Sequence, residues 1–143
     1  MQVPERDAPP FSPQELLRKV GNNQDIFRAV VVAMQTDLDK RMLRLVQASA
    51  QRDHVTAKAE SHALKGALGE VTATSAAYLA SILERAADAR DWETFDLAFS
   101  EFQIDAHRLN LAIEAHLRGD AAYTEMDHVD SEFDLLSRPN TLH

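Results

Sequence analysis

His62 and Lys65 stand three residues apart in the stretch AESHALKGALGEV, residues 59 to 71, with glycines at 66 and 69. A neutral imidazole is a good nucleophile near pH 7, its unperturbed pKa being about 6.5. Attack on a phosphoryl group creates a phosphohistidine with clustered negative oxygens. A lysine one helical turn away meets those oxygens as a point charge, in the stronger, charge-assisted class of hydrogen bond. Gly costs roughly 1 kcal/mol relative to Ala inside a helix, yet two of the chain's four glycines fall here. Bare backbone at 66 and 69 leaves room for a second protein to bring its donor or acceptor group in line.

That chemistry needs the imidazole in water, and helical geometry supplies it. Counting from Leu64, the positions at −7, −3, +4 and +7 are Ala57, Ser61, Leu68 and Val71. All are apolar or small, so theirs is the buried face. His62 lies two positions from Leu64, about 200° round the helix. Lys58, His62, Lys65, Gly66 and Gly69 share the opposite, solvent side. A surface histidine is most often just a solvated residue, and H-x-x-K-G arises by chance in roughly one chain per hundred of this length. Its place on the open side of a packed helix, beside two glycines, is what lifts it above that background.

The elements that position this face read as all-helical. Four glycines, five prolines and abundant Ala, Leu, Glu and Arg favour helix throughout. Residues 1–11 hold three prolines and are expected to form a flexible N-terminal arm. Ser12, Pro13 and Glu15 make a helix start with a capping box, opening a short helix over 13–20 that stops at Gly21. A second helix runs from Asn23 to about Gln51, with Phe27, Val30, Val31, Met34, Leu38, Met42, Leu45 and Val46 on its apolar stripe. Asp53 caps a third over 54–69, and Thr72 or Thr74 a fourth, with Ala76, Leu79, Ala80, Leu83 and Ala87 inward. Asp91 caps the fifth, whose stripe is Phe95, Phe99, Phe102, Ala106, Leu109, Ile113 and Leu117, ending at Gly119. The second and fifth helices are about 26 residues each, roughly 40 Å. Short connections between long helices make neighbours antiparallel. The expected object is an all-α, antiparallel, up-down four-helix bundle over 12–119 with a short extra N-terminal helix. An acidic C-terminal tail, 120–143, follows, with one short helix around 130–137.

The segment SHALKGALGEVTATSAAYLASILE, residues 61 to 84, resembles the signature of histidine-containing phosphotransfer (HPt) domains. That family's pattern runs roughly A-H-x-L-K-G-S-[AS]-x-x-[LIV]-G-A, followed by a helix ending in L-E. His62, Leu64, Lys65 and Gly66 match it, Val71 and Ala73 fall at its later apolar and Ala positions, and Leu83-Glu84 matches the end. The likeness spans about residues 24 to 117. Ser61 stands where the family has Ala, Ala67 where it has Ser, and Thr72 where Gly is common. The resemblance implies a four-helix bundle that relays phosphoryl groups between aspartates of receiver domains, those of response regulators or hybrid histidine kinases. His62 would be phosphorylated, Lys65 would stabilise the phosphoryl group, and Gly66 would keep the approach clear. It also implies a monomeric carrier rather than a classical enzyme, with no cofactor of its own, since the receiver supplies Mg²⁺; the lack of an apolar leader and of a long apolar run makes the chain read as cytoplasmic. Docking in the family uses an apolar patch near the histidine, for which Leu16, Leu17, Val20, Ile26 and Phe27 are the candidates here, beside Lys58 and Gly69.

Other classes fit less well. A histidine-kinase dimerisation domain usually has an acid directly after the histidine and a proline soon after. Here Ala63 follows, and no proline occurs from 14 to 138. A ferritin-type metal bundle needs inward Glu-x-x-His pairs on two helices, an arrangement that His54, His107, His116 and His128 lack; His107 and His116 read as surface residues. A non-catalytic adaptor would not need both His62 and Lys65. The absence of cysteine removes disulfides, thiolate metal sites and cysteine nucleophiles. A net charge of −8 disfavours nucleic acid. The lack of a run of about 18 apolar residues and of an apolar leader points to no membrane segment, and no Gly-rich loop offers to cradle ATP. Glu101, Asp105 and Arg108 read as a solvated ion-pair face, and Trp92 as core.

Overall fold

A computed structural model describes residues 9–119. Five helices form in chain order: α1 (Pro13–Lys19), α2 (Gln24–Gln51), α3 (His54–Glu70), α4 (Thr74–Asp88) and α5 (Trp92–Leu117), with no strand among the described residues. Four starts are capped by the side chain immediately before the helix. Ser12 accepts from the Glu15 N–H, Asn23 from Ile26, Asp53 from Thr56 and Asp91 from Thr94. Each satisfies a backbone donor that has no partner within its own helix.

The start of α4 differs from the expectation. Ala73 is its N-cap and gives no side-chain bond, so neither Thr72 nor Thr74 caps it. Thr72 is committed elsewhere. Its Oγ1 accepts from the Ser12 N–H at 2.8 Å and donates to the Ser12 carbonyl at 3.1 Å, tying the start of α1 to the α3–α4 turn. Thr72 achieves this with φ at +63°, a region that β-branched residues seldom adopt. The turns after α2 and α4 are built alike, with Arg52 and Arg90 at φ +54° and +58°. In all three, the following N–H reaches back five residues: Asp53 to Ala48, Ala73 to Leu68, Asp91 to Ala86. This closes the helix end with a left-handed residue, here never a glycine.

Packing runs in series, α2 on α3, α3 most extensively on α4, and α4 on α5. Polar bridges join α2 and α5: Arg52 to Asp96, Gln35 to Asn110, and Arg28 to the Leu117 carbonyl. Inside lie Phe27, Leu38, Leu45, Leu64, Leu68, Leu83, Phe95, Phe102, Leu109 and Ile113, all essentially inaccessible. The stripe on α5 is as expected, while Val46 of the α2 stripe is left exposed. Pro10 and Phe11, assigned to the arm by sequence, are buried. Phe11 stands edge-on to His116, which also packs against Phe27. His116 is therefore half-buried between rings rather than a surface residue, because the N-terminal segment folds over the end of α5. Trp92 is half-buried at the rim, edge-on to Phe95 and under the Arg52 guanidinium. Residues 1–8 of the arm and the whole of 120–143, with its expected short helix and His128, lie outside the described residues.

Candidate functional site

On α3 the buried face is the expected one: Ala57, Ser61, Leu64, Leu68 and Val71 are all closed to solvent. That fixes the rotation of the helix and turns His62 outward, with its side chain 67% exposed. Lys65 is on the same side. Between them, from α4, stands Glu84, whose side chain is only 17% exposed. One carboxylate oxygen, Oε2, is 2.9 Å from Nδ1 of His62, and the other, Oε1, is 2.8 Å from Nζ of Lys65. The hydrogen bond from Lys65, assisted by that from His62 and opposed by partial burial, holds the Glu84 carboxyl below the usual carboxylate range. An ionised carboxylate only accepts hydrogen bonds. In the neutral ring this contact favours the tautomer whose Nδ1–H donates a hydrogen bond to Glu84 and whose Nε2 keeps a free lone pair.

This pairing orients the exposed imidazole and places a lysine within one turn of it. Gly66 and Gly69 are on the exposed side of α3, and a Cβ built on either would meet nothing within 4 Å. Neither glycine is there to fit a neighbour among the described residues. At the C-terminal end of α3, Lys19 of α1 donates to the Glu70 carbonyl at 3.1 Å, so α1 borders the glycine side.

On the other side of His62 an open groove of about 670 Å³ lies between α3 and α4, lined by His54, Val55, Lys58, Ala59, His62, Glu84 and Asp88. Lys58 spans it to Asp88, Nζ to Oδ1 at 2.9 Å. Val55 shows 66% of its surface to solvent.

The residues expected to dock a partner divide. His62, Lys58, Lys65, Gly66 and Gly69 form one exposed or half-exposed face. Leu16 and Phe27 are core, at 2% and 1% exposure, and offer nothing to a partner. They are buried because α1 contacts α2 and both side chains join the one apolar core cluster. Leu17 and Val20 are half-buried, and Ile26 is exposed. Two features escaped the sequence reading. Glu84 was matched to a pattern but given no task, since its partners lie 22 and 19 residues back on another helix and no periodicity connects them. The groove beside Val55 also has no sequence signal, because it exists only between two helices. Asp105 accepts from the Ser75 hydroxyl and pairs with Arg108 at 3.5 Å, so that acid is held in an α4–α5 contact rather than solvated.

Among the described residues no group of His, Asp and Glu gathers to hold a metal ion, and no helix is long and apolar enough to cross a membrane. No family model, curated protein or solved structure matches the chain.

Proposed function

We propose that this protein is a phosphohistidine carrier, an HPt-like intermediate that receives and passes on a phosphoryl group at Nε2 of His62. The observation that carries the reading is Glu84, shared between an exposed imidazole and a lysine. In the forward step the Nε2 lone pair attacks the phosphorus of a partner's aspartyl phosphate. The N–P bond forms as the P–O bond to the aspartyl oxygen breaks, and the aspartate leaves as a carboxylate. The ring keeps its Nδ1 proton, and the positive charge that it gains faces Glu84. Lys65 pivots from Oε1 towards the new phosphoryl oxygens, at a low energetic cost because such partly exposed ion pairs are worth only about 1 kcal/mol. Transfer onward is the same step reversed on a second aspartate, so no proton is stranded in either direction.

The proposed partners are receiver domains, which would supply the acidic pocket and Mg²⁺, and the proposed setting is the cytoplasm, with the chain acting as a monomer. The finer architecture belongs to the same reading: α2 to α5 as an antiparallel up-down bundle with α1 across one end. Connections of residues 52–53, 71–73 and 89–91 support it, being too short for anything but reversal. So does the order of the α2–α5 bridges, in which Arg28, Gln35 and Arg52 meet residues 117, 110 and 96.

The test is labelling with phosphoramidate, a small phosphodonor that needs no protein partner, and with phosphorylated receiver domains. Acid-labile, alkali-stable label that disappears in His62→Ala is expected. A wild-type chain that takes no label from either source would leave only the adaptor reading.

A further inference from the structure

We infer that the partner protein lies along one line of α3, Val55–His62–Gly69, and seats an apolar side chain in the groove beside Val55. The inference rests on the phosphotransfer reading and names the docking surface that such a reading requires. Residues seven apart on a helix differ by only about 20° in direction, so these three share a single edge of α3. Val55 and Gly69 each stand about 10 Å from His62 along the axis.

Size decides whether that distance matters. A stable protein contact covers about 800 Å² on each partner, a disc of about 16 Å radius. The attacking atom must approach to about 3–3.5 Å of its target, so the disc is centred near His62. Both Val55 and Gly69 fall inside it.

Composition then decides which end anchors. The large apolar side chains exposed among the described residues are Ile26, Val32, Leu43, Val46, Val55, Leu97 and Ile104. Only Val55 belongs to α3 or α4, the helices that carry His62 and Glu84. It has no core to serve, and the groove beside it is continuous with the site because His62 and Glu84 line both. The Lys58–Asp88 pair forms a charged rim, as expected around a small apolar contact. At the other end the missing side chains of Gly66 and Gly69 let the partner's backbone come close. The anchor is thus at the opposite end of α3 from the patch that the sequence suggested on α1 and α2.

Val55→Asp tests this, with Leu97→Asp as a control at a more exposed apolar residue on α5. Asp in the first turn of α3 suits the helix terminus, so the variant keeps the fold. Phosphoramidate labelling of His62, which needs no docking, is expected to be unchanged in both. Transfer from a phosphorylated receiver domain that labels the wild type is expected to lose at least tenfold in kcat/KM in Val55→Asp. The loss is expected to fall on KM, and Leu97→Asp to transfer normally. Equal transfer by Val55→Asp and wild type would overturn the docking line while leaving the carrier reading intact. An equal loss in Leu97→Asp would overturn it too, by showing a nonspecific effect of added charge. Failure of the receivers alone to label the wild type would overturn the docking line, and failure of phosphoramidate as well would remove the carrier reading with it.

Discussion

Glu84 ties an exposed histidine and a lysine to one carboxylate, and on the proposed reading each member of the trio has its own signature. His62→Ala should abolish labelling yet shift stability by no more than about 0.5 kcal/mol, since the side chain is mostly in water; chemical denaturation checks the second part. Lys65→Ala should keep the fold and shorten the life of the phosphorylated form, measured as loss of label with time. Glu84→Gln should weaken the fold at neutral pH by a few tenths of a kcal/mol to about 1 kcal/mol, the range for a partly exposed pair. The sign with pH follows from its lowered pKa. A carboxyl held below its unfolded value of about 4.3 stabilises fully above that value and ceases to do so as pH falls through the folded one. The gap between wild type and Glu84→Gln should therefore shrink as pH falls below about 4.

Within α3, exposed and buried positions respond in opposite ways to similar changes. Gly66→Ala adds a methyl into open space and removes a helix penalty, so stability should rise by up to about 1 kcal/mol. A bulkier replacement, Gly66→Trp, should keep phosphoramidate labelling and lose transfer from a protein donor. Leu64→Ala, two residues from the histidine but on the core side, should cost roughly 2–5 kcal/mol. Ser61 is the anomaly of the buried face. Its hydroxyl is wholly enclosed and finds no hydrogen-bond partner among the described residues, so Ser61→Ala should be neutral or stabilising by about 1 kcal/mol in thermal unfolding. The α3–α4 turn shows the reverse trade. Thr72 accepts an unfavourable φ and gains two hydrogen bonds to Ser12 that hold α1 in place.

Across the molecule the core is continuous from Phe11 to Ile113, and the site rests on it without being part of it. Phe102, at the centre of α5 and fully buried, makes the contrast with His62. Phe102→Ala should destabilise by roughly 3–5 kcal/mol in denaturant, whereas at temperatures where the variant remains folded the labelled fraction should match wild type. A site that faces water on a rigid scaffold gives that separation of stability from chemistry.

Helix identity and the rotation of α3 were legible in the sequence because both are local. Caps act over three residues and apolar spacing over four, so Ser12, Asp53, Asp91 and the Ala57–Val71 face could be read directly. From these it followed that His62 and Lys65 share a solvent side. Contacts between helices left no such trace. The meeting of Glu84 with His62 and Lys65, the hold of Thr72 on Ser12, and the ring contacts that half-bury His116 all join residues far apart in the chain. Their geometry depends on how α1, α3, α4 and α5 rotate and slide against one another as the core packs, and the periodicity of a single helix carries no information about that.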